Sequence, residues 1–185
     1  MIYLDTNILV SLLAGDDGTV AAQEWWASQS VPLGTSAWVA AEFYSHIGLR
    51  CRKGEETIRN AARIIDTFDA LVSNSLSLLK SSDAAVLRAS TWLRPPDCAL
   101  QAGDALHLAI ALENEAAAIA TFDHRFARGV EKLRVAGLKV IALPAAGGLH
   151  RVQQRLADYS VTERDIAKAV KWARKRKIAE RRVVA

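Results

Sequence analysis

Met1-Ile2-Tyr3-Leu4-Asp5-Thr6-Asn7 begins with a short apolar run that stops at an acid. Strands buried on both faces are apolar without alternation, so residues 1 to 4 read as a parallel strand delivering Asp5 at its C-terminal end. Outward from there, Thr6 to Ala14 is helical, and a second helix after Gly15-Asp16-Asp17-Gly18 passes through Trp25 and Trp26. Val31 to Thr35 is a short strand. Ser36 caps the next helix, in which Val39, Phe43 and Ile47 recur every four residues with Glu42 beside that stripe.

The alternation continues to residue 143. A helix is expected over Glu55 to Val72, a brief strand over Leu76 to Leu79, and a helix over Asp83 to Leu93 that Arg94-Pro95-Pro96 ends. Gly103 to Asn114 is a helix with Asp104 in its first turn, Ala117 to Phe122 a strand ending at Asp123, His124 to Ala136 a helix and Leu138 to Leu143 a strand. Strands alternating with helices of this length imply an α/β fold with a parallel sheet covered on both faces.

In such a sheet, ligands bind outside the carboxyl ends of the strands. Asp5 and Asp123 follow strands, Asp104 opens a helix and Glu42 lies in the second turn of another, so all four can face one rim. Each also has an ordinary role open to it: a turn acid for Asp5, a helix-start acid for Asp104, a solvated face for Glu42 and an N-cap for Asp123. Together they suit a different task, because clustered carboxylates repel unless a cation offsets them. Oxygen ligands select Mg²⁺ or Mn²⁺, which keep coordination positions for phosphate oxygens and water. That chemistry is phosphodiester hydrolysis.

Leu4-Asp5-Thr6-Asn7, Glu42, Gly103-Asp104-Ala105-Leu106-His107 and Thr121-Phe122-Asp123 resemble, in order and spacing, the four acidic motifs of PIN-domain nucleases, and among these the VapC-type toxins of toxin-antitoxin pairs. The resemblance implies an RNase H-like three-layer α/β/α sandwich, endonucleolytic cleavage of RNA dependent on Mg²⁺ or Mn²⁺, and a homodimer. It carries metal-binding and catalytic roles to Asp5, Glu42, Asp104 and Asp123, with Thr6 and Asn7 orienting them. His107 reads as a partly buried helix histidine ahead of a catalytic one, and Arg125 as a solvated helix arginine. A dehalogenase-like phosphatase would also start with a strand ending in Asp but needs a second Asp where Asn7 stands. A nuclease fold that only binds nucleic acid is disfavoured because no expected acid is missing.

Composition sets the wider frame. A chain of 185 residues is close to one average domain. Cys51 and Cys98 form no CxxC or Cys/His cluster, so neither a disulfide framework nor a zinc site is expected. With no basic leader and no apolar run of spanning length, the sequence predicts a cytoplasmic protein without a membrane partner. The positive balance is local: residues 1 to 144 hold 13 Lys+Arg against 16 Asp+Glu, whereas residues 145 to 185 hold 11 against 4.

The expected organisation is therefore a nuclease domain over 1–144, a linker at 145–148 and a basic helical tail over 149–185. Ser160 and Glu163 form a capping-box pattern opening a helix from about Thr162 to Lys177. Arg164, Lys168, Lys171 and Lys175 follow one stripe of it, opposite Ile166, Val170 and Ala173. TERDIAKAVKWARKRK resembles the toxin-wrapping segment of a VapB-type antitoxin. That resemblance makes the tail an inhibitor, with Trp172 an anchor and Arg174 and Arg176 the side chains for the acidic cleft. The alternative is a clamp that holds the RNA substrate by its phosphates, and a solvated tail is the third reading.

Overall fold

The computed structural model describes residues 1–144. The linker and the basic tail lie outside the described residues. Five strands, β1 (Ile2–Leu4), β2 (Leu33–Ser36), β3 (Ser77–Leu79), β4 (Ala118–Thr121) and β5 (Lys139–Ala142), form one sheet in the order β3-β2-β1-β4-β5. Every pairing is parallel, with Tyr3 opposite Gly34 on one side and Ile119 on the other. Seven helices flank the sheet in a three-layer α/β arrangement: α1 (Thr6–Ala14), α2 (Thr19–Ala27), α3 (Ala37–Arg52), α4 (Ile58–Ser75), α5 (Asp83–Leu93), α6 (Ala102–Glu113) and α7 (His124–Leu133).

The strand order places the site. From the central β1 the chain builds outward to β2 and β3, then returns to lay β4 on the other side of β1. Connections after β1 and β4 therefore diverge at the carboxyl ends of two adjacent strands, which opens a crevice there. Asp5 leaves β1 into that crevice, while its backbone N–H still bonds to Ala120 on β4 at 3.0 Å. Asp5 and Asp123 thus leave neighbouring strands.

Within residues 1–144 the sequence expectations hold for each element, with shifts at their ends that have local causes. Helix α4 starts at Ile58 and not Glu55, because the Thr57 hydroxyl accepts the Asn60 N–H at 3.2 Å and fixes the N-terminus. Strand β2 starts at Leu33, since Pro32 has no N–H to give a ladder; its carbonyl instead accepts from Ile2 at 3.0 Å. Helix α7 stops at Leu133, where Arg134 turns into the left-handed region at φ 51°.

The core is continuous from β1 and β4 into α1 and α6, the two helices with at least half of their residues buried. On the α3 and α4 side, Phe43 and Phe68 stack with ring centroids 4.1 Å apart. Cys51 and Cys98 are half-buried and free. Among the described residues no helix is long and apolar enough to cross a membrane.

Candidate metal centre

A cavity of about 380 Å³ at the carboxyl rim is lined by acids from five separate segments: Asp5 after β1, Asp16 between α1 and α2, Glu42 on α3, Asp104 on α6 and Asp123 after β4. Thr6, Asn7, His46 and His107 complete its polar wall. The structure thus brings the four acids singled out in the sequence to one hollow. Arg125 is exposed and does not line it.

Each of those four acids uses one oxygen to hold the fold. Asp5 is only 7% exposed, and its Oδ2 accepts from Asn7 Nδ2 and Thr121 Oγ1, both at 2.6 Å. Glu42 Oε2 accepts from the Thr6 hydroxyl and from His107 Nε2, the latter at 2.7 Å. Asp104 Oδ2 accepts the Gln101 N–H at 3.1 Å in the capping box of α6, and Asp123 Oδ1 caps α7 through Arg125 and Phe126 at 2.6 and 3.0 Å. The structural roles of Asp104 and Asp123 and their places in the cavity are therefore compatible. The other oxygen of each acid, Asp5 Oδ1, Glu42 Oε1, Asp104 Oδ1 and Asp123 Oδ2, accepts no hydrogen bond from the described residues.

His107 is the residue whose part the sequence understates. It is 4% exposed, and its Nε2 lies 3.5 Å from Asp5 Oδ1 as well as on Glu42. Its Nδ1 pairs with the Tyr3 hydroxyl at 3.0 Å, which in turn meets Ser36 Oγ at 2.8 Å. Asp5, Glu42 and His107 each offer a ligand atom within 4.8 Å of the others, a spacing that a metal ion can bridge. Asp104 and Asp123 stand outside that triad but on the same cavity.

The electrostatics follow from this crowding. Burial alone would raise the Glu42 carboxyl, but the hydrogen bond and charge of His107, helped by Thr6 and the Trp38 indole, bring it below its usual value. Burial would likewise lower His107, yet the bond to Glu42 and the charges of Asp5, Glu42 and Asp104 outweigh it and hold the imidazole above its ordinary value. Asp104 is pushed up by burial, against its Gln101 bond, and then by the charges of Asp123 and Asp5. Burial, against its bond to Ser36, drives the Tyr3 phenol well above its usual range, so Tyr3 stays a neutral partner for His107.

A second network fixes the floor. Thr121 Oγ1 donates to Asp5 and accepts from the Asp123 N–H at 2.8 Å and from Asn7 Nδ2 at 3.0 Å. Asn7 Oδ1 also takes the Phe122 N–H at 2.9 Å, which ties α1 to the exit of β4. Thr121→Val keeps the shape and removes the hydroxyl, stranding buried partners. We expect it to cost about 1–3 kcal/mol of stability, read by urea denaturation; a change below about 0.5 kcal/mol would show that water takes over these bonds.

Residues 2–132 match the family model described as the PIN domain. The chain belongs to the PIN-domain family. Solved structures with this fold include the Mycobacterium tuberculosis toxin VapC20, described as cleaving the sarcin-ricin loop. It shares 23% identity with a TM-score of 0.56, over 69% of this chain and 94% of that one. VapBC2 from Rickettsia felis, bound to a fragment of promoter DNA, shares 19% with a TM-score of 0.52, over 78% and 100% of the two chains. A toxin-antitoxin complex from Klebsiella pneumoniae shares 19% with a TM-score of 0.51, over 75% and 95%. At these identities the likeness is one of fold. No curated protein sequence matches the chain significantly. In this PIN domain the crevice between β1 and β4 and the acidic cavity coincide.

Proposed function

We propose that this PIN domain is a metal-dependent endoribonuclease of the toxin-antitoxin type, restrained by its own basic C-terminal tail. The observation that carries the nuclease reading is the free carboxylate oxygen that each of Asp5, Glu42, Asp104 and Asp123 presents to one cavity. Hard oxygen donors in a concave, partly buried site suit Mg²⁺ or Mn²⁺. Toxin and antitoxin complexes among the solved structures of the same fold support the biological setting. The same reading includes an RNA substrate, an antitoxin or the tail as inhibitor, and a cytoplasmic homodimer.

Asp5, Glu42, Asp104 and Asp123 would hold the ion. When bound it would supply Lewis-acid stabilisation of charge on a phosphate and a lowered pKa for a water molecule. The protein's own part is orientation. Asn7 and Thr121 fix Asp5 by one oxygen, and Thr6 with His107 fix Glu42 by one oxygen, so both acids present the other without a rotamer search.

Gly103 gives a local test of the Glu42 assignment. A Cβ there would stand 3.1 Å from Glu42 Oε1 and 4.0 Å from Trp38 Cζ2. Gly103→Ala should push the carboxylate aside and weaken Mn²⁺ binding by about tenfold with little change in melting temperature. A calorimetric Mn²⁺ titration beside a thermal melt checks this, and unaltered affinity would remove Glu42 from the ion's ligands. The function as a whole is tested by incubating the full chain and a 1–144 truncation with a mixed RNA pool, in Mn²⁺ and in EDTA. Cleavage by the truncation in Mn²⁺ alone is expected; intact RNA in every lane would reject the reading.

A further inference from the structure

A second cavity, of about 410 Å³, runs along the outer face of α3 and is lined by Trp38, Ala41, Glu42, Ser45, His46 and Leu49. These positions are spaced three and four apart, so they form one helix face. Glu42 and His46 belong to both cavities, which makes the groove a continuation of the acidic site. Its character differs, however. It holds one carboxylate, no lysine and no arginine, and its walls are indole, imidazole and aliphatic surface. Such a lining does not attract a phosphate. It does suit the face of an uncharged aromatic ring, and its volume falls within the roughly 300–1,000 Å³ of small-ligand pockets.

We propose that this groove receives an unpaired nucleobase of the RNA whose phosphate lies in the acidic cavity, with Trp38 and His46 offering ring surface and Ser45 a hydrogen-bonding edge. The inference rests on the nuclease reading above and adds where the substrate is held. Proteins that take single-stranded RNA stack its bases on aromatic side chains and bond their exposed edges. The indole N–H of Trp38 is buried beside Glu42, so what this residue gives the groove is ring surface. His46 is exposed one turn after Glu42, at the passage from one cavity to the other.

The test uses the full chain, with and without the R174E and R176E changes, so that a tail lying in the cleft is not mistaken for a missing subsite. Two phosphorothioate-linked probes of equal charge are compared in Mg²⁺, a heptauridylate and an abasic heptamer. Ala41→Phe fills the groove from an exposed position, and His46→Ala removes one wall; Trp38 packs against the core and is left in place. The expected result is a preference of about tenfold for the heptauridylate, falling below about threefold in either variant. Equal binding of both probes to the unaltered chain, or a preference that survives Ala41→Phe, would overturn the subsite. So would an Ala41→Phe chain that binds both probes more tightly, because that assigns the groove to the tail. RNA cleavage in Mn²⁺ is scored separately, so the subsite can fail while the nuclease reading stands.

Discussion

Asp5→Asn is expected to lower Mn²⁺-dependent RNA cleavage by at least about a hundredfold while the protein stays folded. Asp5 leaves the central strand, is buried, and is clamped by Asn7 and Thr121 so that only Oδ1 faces the cavity. An amide of the same shape can keep the Thr121 bond through its oxygen but brings no charge to the ion. It also relieves repulsion, since Asp5 is one of the charges that push the Asp104 carboxyl up. The melting temperature without metal should therefore hold or rise. Asp104→Asn should behave alike, because its Oδ2 serves the α6 capping box and only Oδ1 is open. Single-turnover cleavage and thermal melts of both variants decide the matter. Cleavage above a tenth of the parent in both, with purity established, would end the assignment.

Deleting residues 149–185 should raise nuclease activity strongly and make expression toxic. Residues 145–185 hold 11 Lys+Arg against 4 Asp+Glu, a charge opposite in sign to that of a cavity edged by five acids. A guanidinium fork pairs well with such carboxylates. Covalent attachment would hold the tail at an effective concentration on the order of millimolar if the join can span the sites, so even a weak contact would suffice. Arg174→Glu with Arg176→Glu in the full chain should mimic the deletion, and raised salt should partly relieve inhibition. A phosphate clamp forecasts the reverse: lower activity, lower RNA affinity and a shallower salt dependence. Cleavage rate and RNA affinity at two salt concentrations separate the two, and unchanged values would leave a solvated tail.

The fold was legible because its signals are local. Apolar runs ending at Asp5 and Asp123, the Ser36 cap and the Pro95-Pro96 stop are each read within a few residues. The acids were legible for the same reason, since Asp5, Asp104 and Asp123 sit at element ends and Glu42 in the second turn of α3, where the parallel topology gathers these ends together. His107 was not. In Ala105-Leu106-His107-Leu108-Ala109-Ile110 it has the pattern of a core position, and it is one, being buried. Its partners Glu42 and Tyr3 lie 65 and 104 positions away, and no spacing along the chain announces them. Thr121 was quoted with the Asp123 motif but given no role of its own, although its hydroxyl joins Asp5, Asn7 and Asp123. Asp16 was named only within the Gly15-to-Gly18 break between two helices, where its Oδ1 accepts the Gly18 N–H at 2.7 Å, yet it also edges the cavity.

Metal-stripped protein given Mn²⁺ back is the decisive case. The R174E and R176E chain, dialysed against EDTA and then freed of it, should leave an RNA pool intact, cut it within minutes of Mn²⁺ addition, and stop when EDTA returns. Cleavage that persists at full rate in EDTA, or RNA that survives saturating Mn²⁺ with the folded chain, would contradict a metal-dependent ribonuclease built on Asp5, Glu42, Asp104 and Asp123.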